Sequence, residues 1–428
     1  MSAPARDTIF ALSSGALPAA IAVVRVSGAH ASQAIKNLTG ILPEPRRAVS
    51  AALAWQGELL DRALMLWLPG PGTATGEDVA ELHLHGGRAV VASVLAALGR
   101  MPGLRMAEPG EFTRRAFSNG KLDLAQAEGL ADLLAAETEA QRRQALRQAE
   151  GGLGKLVGGW RERLLGLAAR IEAAIEFAED EDDVPALDEA DLSGTSALAA
   201  DMGAALALPP AERLRDGVRI VVAGPTNAGK SSLINTLAGR EAAIASPVAG
   251  TTRDLIEIPV SIAGMPCLLI DSAGLRTVGG HLEQIGMARA RAAIDSADLI
   301  LWLGPPEDCP DRPRSILVRT KADLGKAAGK ADIATSIVTG EGLERLRSLL
   351  EERVRGLLPP ADAVALNARH RERIAEAVAE LEAAQGHDDL LFVAEHIRQA
   401  RIALDRITGR AGVEEMLDAL FGRFCIGK

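Results

Sequence analysis

The sequence predicts a multidomain chain that joins α/β units to an all-α unit, and three observations carry that prediction. A glycine-rich loop, Gly224-Pro225-Thr226-Asn227-Ala228-Gly229-Lys230-Ser231, stands between an apolar run, Val218 to Ala223, and a helix-periodic segment, Ser232 to Leu237. Short β-like runs fill residues 1 to about 118, whereas Ala, Leu, Glu, Arg and Gln at helical spacing take over from Leu122. The same helical texture returns after Pro359-Pro360. Two helical stretches of like composition on either side of a strand–helix alternation imply one helical domain with a nucleotide-binding domain inserted into it. The expected division is an N-terminal α/β domain at 1–118, a first helical part at 119–215, the phosphate-loop domain at 216–358 and a second helical part at 359–428. A chain of 428 residues has the length for two or three domains, and its 48% hydrophobic content can supply their cores.

In chain order, Ile21 to Val26 and Ala63 to Leu68 read as strands, and Glu81-Leu82-His83-Leu84-His85 alternates before Gly86-Gly87. Pro69 to Gly72 and Pro109-Gly110 mark loops. Helical spacing then runs to about Phe177, where an acidic cluster, Glu179 to Asp183, and Pro185 read as a solvated loop. A further helix is expected from about Ala186 to Leu206, closed by Pro209-Pro210. Strand and helix alternate from 217 to about 357, with strands at Cys267 to Ile270 and Ser315 to Val318, and helix resumes towards Phe424.

Composition narrows the function classes. No apolar run approaches membrane-span length and the N-terminus carries no charged-then-apolar leader pattern, so a cytoplasmic protein is expected. The three cysteines, Cys267, Cys309 and Cys425, stand at unrelated spacings, which argues for a reducing compartment and against a disulfide framework. With no tyrosine, base-stacking platforms are not expected. A net charge of −10 means that any nucleic-acid contact must come from a local basic patch. Arg142, Arg143 and Arg147 form one candidate patch and Arg369, Arg371 and Arg373 another, although charged helical faces ordinarily just meet solvent. His83 and His85 have the spacing of a metal pair, but no further ligand completes a set nearby, and an alternating strand is the plainer reading.

The glycine loop carries the chemistry. Its backbone N–H groups can close around phosphate oxygens, from Asn227 through Ala228 and Gly229 to Ser232, while Lys230 reaches the outer phosphates and the Ser231 hydroxyl can ligate magnesium. Further elements follow in the order a GTP-binding domain requires. A strand runs into Asp271-Ser272-Ala273-Gly274, where Asp271 can hold magnesium through water and the glycine lets backbone approach a γ-phosphate. Another leads to Thr320-Lys321-Ala322-Asp323, where Asp323 can accept both N–H donors of guanine N1 and N2; Ser336 follows in a loop placed to pack on the base. Translation-factor-like GTPases carry Asn where Thr320 stands, and Thr is shorter. Between the phosphate loop and Asp271 lies Gly250-Thr251-Thr252-Arg253-Asp254, in which Thr252 can bind magnesium while a γ-phosphate is present. Leu275 cannot orient water, so another polar residue must. An ATPase is the alternative for this domain.

With Asn227 in the loop and Gly-Thr-Thr-Arg-Asp downstream, the nucleotide domain resembles the potassium-stimulated GTPases. The flanks narrow the resemblance. Gly76-Glu77-Asp78-Val79-Ala80-Glu81-Leu82 with His85-Gly86-Gly87, Pro109-Gly110-Glu111-Phe112-Thr113 through Glu128, and the final Cys425-Ile426-Gly427-Lys428 together resemble the MnmE (TrmE) family of tRNA-modifying GTPases. That resemblance implies an N-terminal α/β domain that dimerises and binds 5-formyltetrahydrofolate or a related tetrahydrofolate. It implies a homodimer that works with an FAD-dependent partner, MnmG, on C5 of the tRNA wobble uridine. It further implies a Ras-like GTPase domain using GTP, Mg2+ and K+. By the same resemblance, potassium is held by Asn227, Thr251, Ser246 and Val248, and the segment Ser246-Pro247-Val248-Ala249-Gly250 lies against the nucleotide. Glu283 matches a water-orienting carboxylate, where an ordinary acid at a helix N-terminus is the other reading. Arg25, Glu81, Lys121 and Lys428 match folate-site positions, and Cys425 matches a cysteine near the one-carbon chemistry, with a plain buried thiol as its alternative. The loop Ser13 to Pro18 departs from the Gly/Arg-rich loop usual there. A ribosome-assembly or signalling GTPase explains residues 217 to 357 but neither end of the chain, and a folate-dependent transferase with a regulatory GTPase would need no tRNA.

Overall fold

The computed structural model describes residues 7–176, 189–240, 257–271, 291–325, 330–387, 389–410, 420–422, 424, 426 and 427. The chain divides into two compact units, Met1–Ala131 with Thr408–Lys428, and Asp132–Ile407.

The first unit is built on a six-stranded sheet: β1 (Thr8–Leu12), β2 (Ile21–Ser27), β3 (Val49–Trp55), β4 (Glu58–Leu68), β5 (Val79–His85) and β6 (Leu104–Met106), in the order β3-β4-β5-β2-β1-β6. All pairings are antiparallel except β1 with β6. The alternation expected at 81–85 is realised. Ala80, Leu82 and Leu84 are buried in the core with Val24, Val26 and Phe10, while Glu81, His83 and His85 occupy the alternate positions of the strand. Helices Ala31–Thr39 and Arg88–Gly99 cover the apolar face through Ile35, Leu38, Val94 and Leu98. Helices Glu111–Ser118 and Leu124–Ala135 follow, and Leu124 and Ala127 bury against Leu420, Phe421 and Phe424.

The C-terminal residues belong to this unit by direct contact. Ile426 bridges to Pro109, and the Ser13 hydroxyl donates to the Gly427 carbonyl at 2.8 Å. Gly427 has φ of 101° and a Cβ there would collide with the Leu12 carbonyl, so backbone geometry and space both demand glycine.

The second unit contains the other sheet: β7 (Val218–Ala223), β8 (Glu257–Ile262), β9 (Met265–Asp271), β10 (Leu299–Trp302), β11 (Ser315–Arg319) and β12 (Ile333–Ala334), ordered β12-β11-β10-β7-β9-β8. Only β8 with β9 is antiparallel. Its central strands are apolar on both faces, as a parallel sheet covered on both sides requires. Helix Lys230–Arg240 follows β7, and helix Leu343–Leu357 buries Leu346, Leu350 and Val354 at four-residue spacing.

Helices Glu139–Ala149, Gly152–Glu176, Glu189–Ala207, Ala368–Ala384 and Leu390–Thr408 form the helical part. Glu189–Ala207 packs along Ala368–Ala384, so segments before and after the phosphate-loop sheet share one helical layer. Arg371 fastens them by donating to the carbonyls of Leu206 at 2.6 Å and Leu208 at 3.0 Å. The helical domain is therefore discontinuous and the phosphate-loop domain is inserted into it. No described helix is long and apolar enough to cross a membrane.

Candidate nucleotide-binding site

The site lies where the parallel strands end, the position at which open α/β sheets bind ligands. The chain leaves β7 at Gly224, whose φ is 145°. A Cβ on Gly224 would stand 3.0 Å from the Leu303 carbonyl carbon, so the loop and the segment after β10 can approach only because this residue is glycine. Asn227 takes a positive φ of 61°, which Asn tolerates better than most side chains. The loop then enters helix Lys230–Arg240, whose first N–H groups point into the loop.

Lys230 is buried, with its ammonium donating to the carbonyls of Gly224 at 3.0 Å and Pro225 at 2.8 Å. It is curled over the loop rather than extended to solvent. The Ser231 hydroxyl donates to Asp271 Oδ2 at 2.7 Å, and Asp271 is itself buried at the end of β9. A hydroxyl and a carboxylate side by side are hard oxygen donors of the kind Mg2+ takes.

The end of β11 reaches back to the same loop. The Thr320 hydroxyl donates to the Ala228 carbonyl at 2.6 Å, and the Lys321 ammonium donates to the Asn227 carbonyl at 2.9 Å. Shorter as it is than Asn, Thr320 still braces the phosphate loop. Asp323 Oδ1 accepts from the fully buried Ser336 hydroxyl at 2.6 Å, which fixes the carboxylate's orientation. The sequence placed Ser336 in a loop that packs on the base; its contact in the structure is with Asp323. Leu324 and Val338 stand beside these two residues and are 78% and 85% exposed, two apolar side chains that periodicity could not single out.

Asn227, Ala228, Gly229, Lys230, Ser231, Ser232, Asp271, Thr320, Lys321, Asp323 and Ser336 are thus all described, and the contacts above draw most of them together at one end of the sheet. Ser246, Pro247, Val248, Ala249, Gly250, Thr251, Thr252, Ser272, Ala273, Gly274, Leu275 and Glu283 lie outside the described residues, as do Cys425, Lys428 and the acidic cluster from Glu179 to Asp183.

In the first unit, Arg25 and Glu81 face each other across β2 and β5, and both Nε and a terminal nitrogen of Arg25 donate to Glu81 Oε1, at 3.0 and 2.9 Å. His83 stands 3.5 Å from Glu81 Oε2, and His85 pairs with Asp61 at 2.7 Å. Among the described residues no group of three or more His, Cys, Asp or Glu is arranged to hold a metal. Lys121 is exposed, its stem lying against Gly76.

Sequence reasoning missed the network beneath these residues. Arg115 is 7% exposed and donates to both oxygens of Glu77, at 3.3 and 3.1 Å, and to Glu111 at 3.0 Å. Ser27 donates to Glu77 at 2.8 Å, and Asn119 donates to the Thr75 carbonyl at 2.6 Å. Arg105 grips Glu111 through two nitrogens, at 2.6 and 2.8 Å. Burial opposes ionisation of Glu111, but the hydrogen bonds from Arg105, the Glu108 N–H and Arg115 outweigh it and hold the carboxyl at about 2. The two sequence blocks that begin at Gly76 and Pro109 are therefore joined by one polar network.

The arginine clusters are largely engaged within the protein. Arg142 and Arg143 share Glu139, Arg147 donates to the Asp362 carbonyl, and Arg369 donates to the carbonyls of Arg406 and Ile407. Arg373 pairs with Glu372 and Glu376.

The chain matches two family models, GTP-binding protein TrmE N-terminus over residues 8–121 and MnmE helical domain over residues 124–425. It is 55% identical over 424 residues to a tRNA modification GTPase MnmE from Erythrobacter litoralis, covering 99% of this chain and 100% of that one. The corresponding protein of Rhizorhabdus wittichii is 56% identical over 435 residues, covering 100% of this chain and 98% of that one. Among solved structures, the G domain of the T. maritima FeoB iron transporter aligns at 26% identity over 32% of this chain and 98% of that chain, with a TM-score of 0.24. Two family models that run nearly end to end, together with relatives alike over their full length, place this chain in the MnmE (TrmE) family.

Proposed function

We propose that this chain is a GTP hydrolase acting in tRNA modification, at C5 of the wobble uridine, with a flavoprotein partner and a tetrahydrofolate one-carbon donor. The end-to-end likeness to proteins named tRNA modification GTPase carries this reading. The loop geometry supports the nucleotide half of it. The N–H groups from Asn227 to Ser232 cradle phosphate, Lys230 uncurls to meet the outer phosphates, and Ser231, Asp271 and Thr252 supply oxygen donors to magnesium. Asp323, aimed by Ser336, selects guanine, and Leu324 and Val338 provide apolar surface for the base.

Potassium beside Asn227, Ser246, Val248 and Thr251 would add positive charge at the β- and γ-phosphates. The cationic arginine that other GTPases bring there is worth roughly 10³–10⁵ in rate. Glu283 orients the attacking water. In the first unit, Glu81 pairs with the amide and amino edge of a pterin, and Arg25, Lys121 and Lys428 suit its glutamyl carboxylates. Cys425 acts near the one-carbon group. The working form is a homodimer in complex with MnmG, in the cytoplasm, and the four-part division at 118, 215 and 358 describes its domains apart from the C-terminal residues from Thr408, which group with the first unit.

GTP turnover measured in potassium and in sodium tests the nucleotide half. Stimulation by potassium, with Glu283→Ala retaining GTP binding but losing most turnover, is the expected result. Equal rates in both salts would remove the potassium site, and full activity of the variant would remove the role of Glu283. Folate binding is read separately, by calorimetry with 5-formyltetrahydrofolate on wild type and Glu81→Ala.

A further inference from the structure

A cavity of about 640 Å³ lies in the second unit, apart from the phosphate loop. Cavities that hold drug-sized ligands run roughly 300–1,000 Å³ and favour domain junctions. This one is at such a junction. Both peptide connections between the inserted domain and the helical domain line it, through Pro209 and through Leu358 to Ala361. Its third wall is the turn of the β8–β9 hairpin, Ala263-Gly264, which is held to helix Glu139–Ala149 by a hydrogen bond from the Ala140 N–H to the Gly264 carbonyl at 3.2 Å.

Apolar side chains, among them the buried Leu214, Met265 and Leu358, make the floor. The rim is charged. Arg143 and Arg355 line the cavity and are 63% and 70% exposed. Arg143 pairs with Glu139 and Arg355 with Glu351, and of these carboxylates only Glu139 lines the cavity, so the lining carries two guanidiniums and one carboxylate. The surplus charge is positive while the whole chain carries −10.

We propose that this junction cavity binds a small apolar anion, an aromatic or aliphatic carboxylate or sulfonate. Its hydrocarbon body rests on the apolar floor and its charged group lies between Arg143 and Arg355. An occupant would touch both connections and the hairpin turn at once, and so would stiffen the joint between the inserted domain and the helical domain.

The test is a fluorescence titration of the full chain, in excess GDP, with 1-anilinonaphthalene-8-sulfonate as the probe. Gly356 lines the cavity and a Cβ on it meets open space, so Gly356→Trp fills the site from a second element without a built-in clash. The expected result is a saturable component that weakens about tenfold in Gly356→Trp and about tenfold in Arg143→Glu/Arg355→Glu. Thermal melts of the same samples establish that each variant is folded. A folded variant of either kind that titrates like wild type overturns the proposal.

Discussion

The two six-stranded sheets of this molecule place their chemistry in opposite ways. In the phosphate-loop sheet the strands run mostly parallel, and the described residues proposed to bind nucleotide, among them Lys230, Asp271 and Asp323, sit at or just after strand ends. In the N-terminal sheet the strands are mostly antiparallel, and Arg25 and Glu81 meet in mid-strand, across a pairing of residues 56 apart. A strand-end site is written in a contiguous motif, because the backbone itself does the binding. A site on a sheet face is assembled from distant strands and from the side chains that support it from below. The first is legible from spacing; the second needs either the fold or a family likeness.

The largest expected effect tests the supporting side of this contrast. Arg115→Met removes the guanidinium that the largely buried Glu77 and Glu111 share and leaves Glu77 only its Ser27 partner. It should cost about 2–3 kcal/mol of stability, the scale of a lost charge-assisted hydrogen bond in a partly buried site. Urea unfolding followed by circular dichroism measures it. A loss below about 1 kcal/mol, the scale of a surface pair, would mean that the network is incidental to the fold.

Next comes the loop. Lys230→Ala removes a charge-assisted donor to phosphate and should weaken GTP about a hundredfold, from a loss of about 2–3 kcal/mol. A fluorescent GTP analogue reads this directly. The brace from β11 is a smaller effect. Thr320→Val keeps the shape but strips the hydroxyl from the Ala228 carbonyl, and GTP and GDP should both weaken about tenfold. Loss confined to one nucleotide would show that Thr320 acts on the γ-phosphate end instead.

The pH dependence follows from Glu111. Its folded carboxyl titrates at about 2, against 4.5 for the free group. The lowered value stabilises the fold at every pH above about 4.5, and that contribution drains away as pH falls from 4.5 towards 2. Between about pH 5 and pH 2.5, wild type should lose more stability than Glu111→Gln. Parallel curves would show that the Arg105 grip contributes nothing. The smallest effect belongs to the exposed pair of Arg143 with Glu139. Arg143→Ala should leave the melting temperature unchanged, since solvent screens the pair.

These contrasts explain what the sequence could and could not disclose. The strand Val218–Ala223, the loop and helix Lys230–Arg240 were legible because an apolar run, glycines and a helical period follow one another without interruption. Alternation disclosed β5 for the same local reason. The insertion of one domain into another was legible only as a likeness of composition, since Arg371 and the Leu206 carbonyl that it holds are 165 residues apart. Arg369 and Arg371 read only as members of a candidate basic patch on an ordinary solvated face, because their carbonyl partners lie far along the chain. The bond from Ser336 to Asp323 was not legible, because nothing in the neighbourhood of Ser336 signals a partner thirteen positions earlier. Gly427 is the reverse case. The sequence marked it by family likeness, and the close approach of the Leu12 carbonyl supplies the physical reason.

The central claim is that a phosphate-loop GTPase and an N-terminal sheet unit serve one reaction on tRNA. Nucleoside mass spectrometry of bulk tRNA from cells lacking this protein tests it most directly, with wild type and Lys230→Ala supplied in return. Loss of C5-substituted wobble uridines, restored by wild type but not by Lys230→Ala, is the predicted result. An unchanged nucleoside profile in the deleted cells would contradict the account and leave a nucleotide switch with some other target.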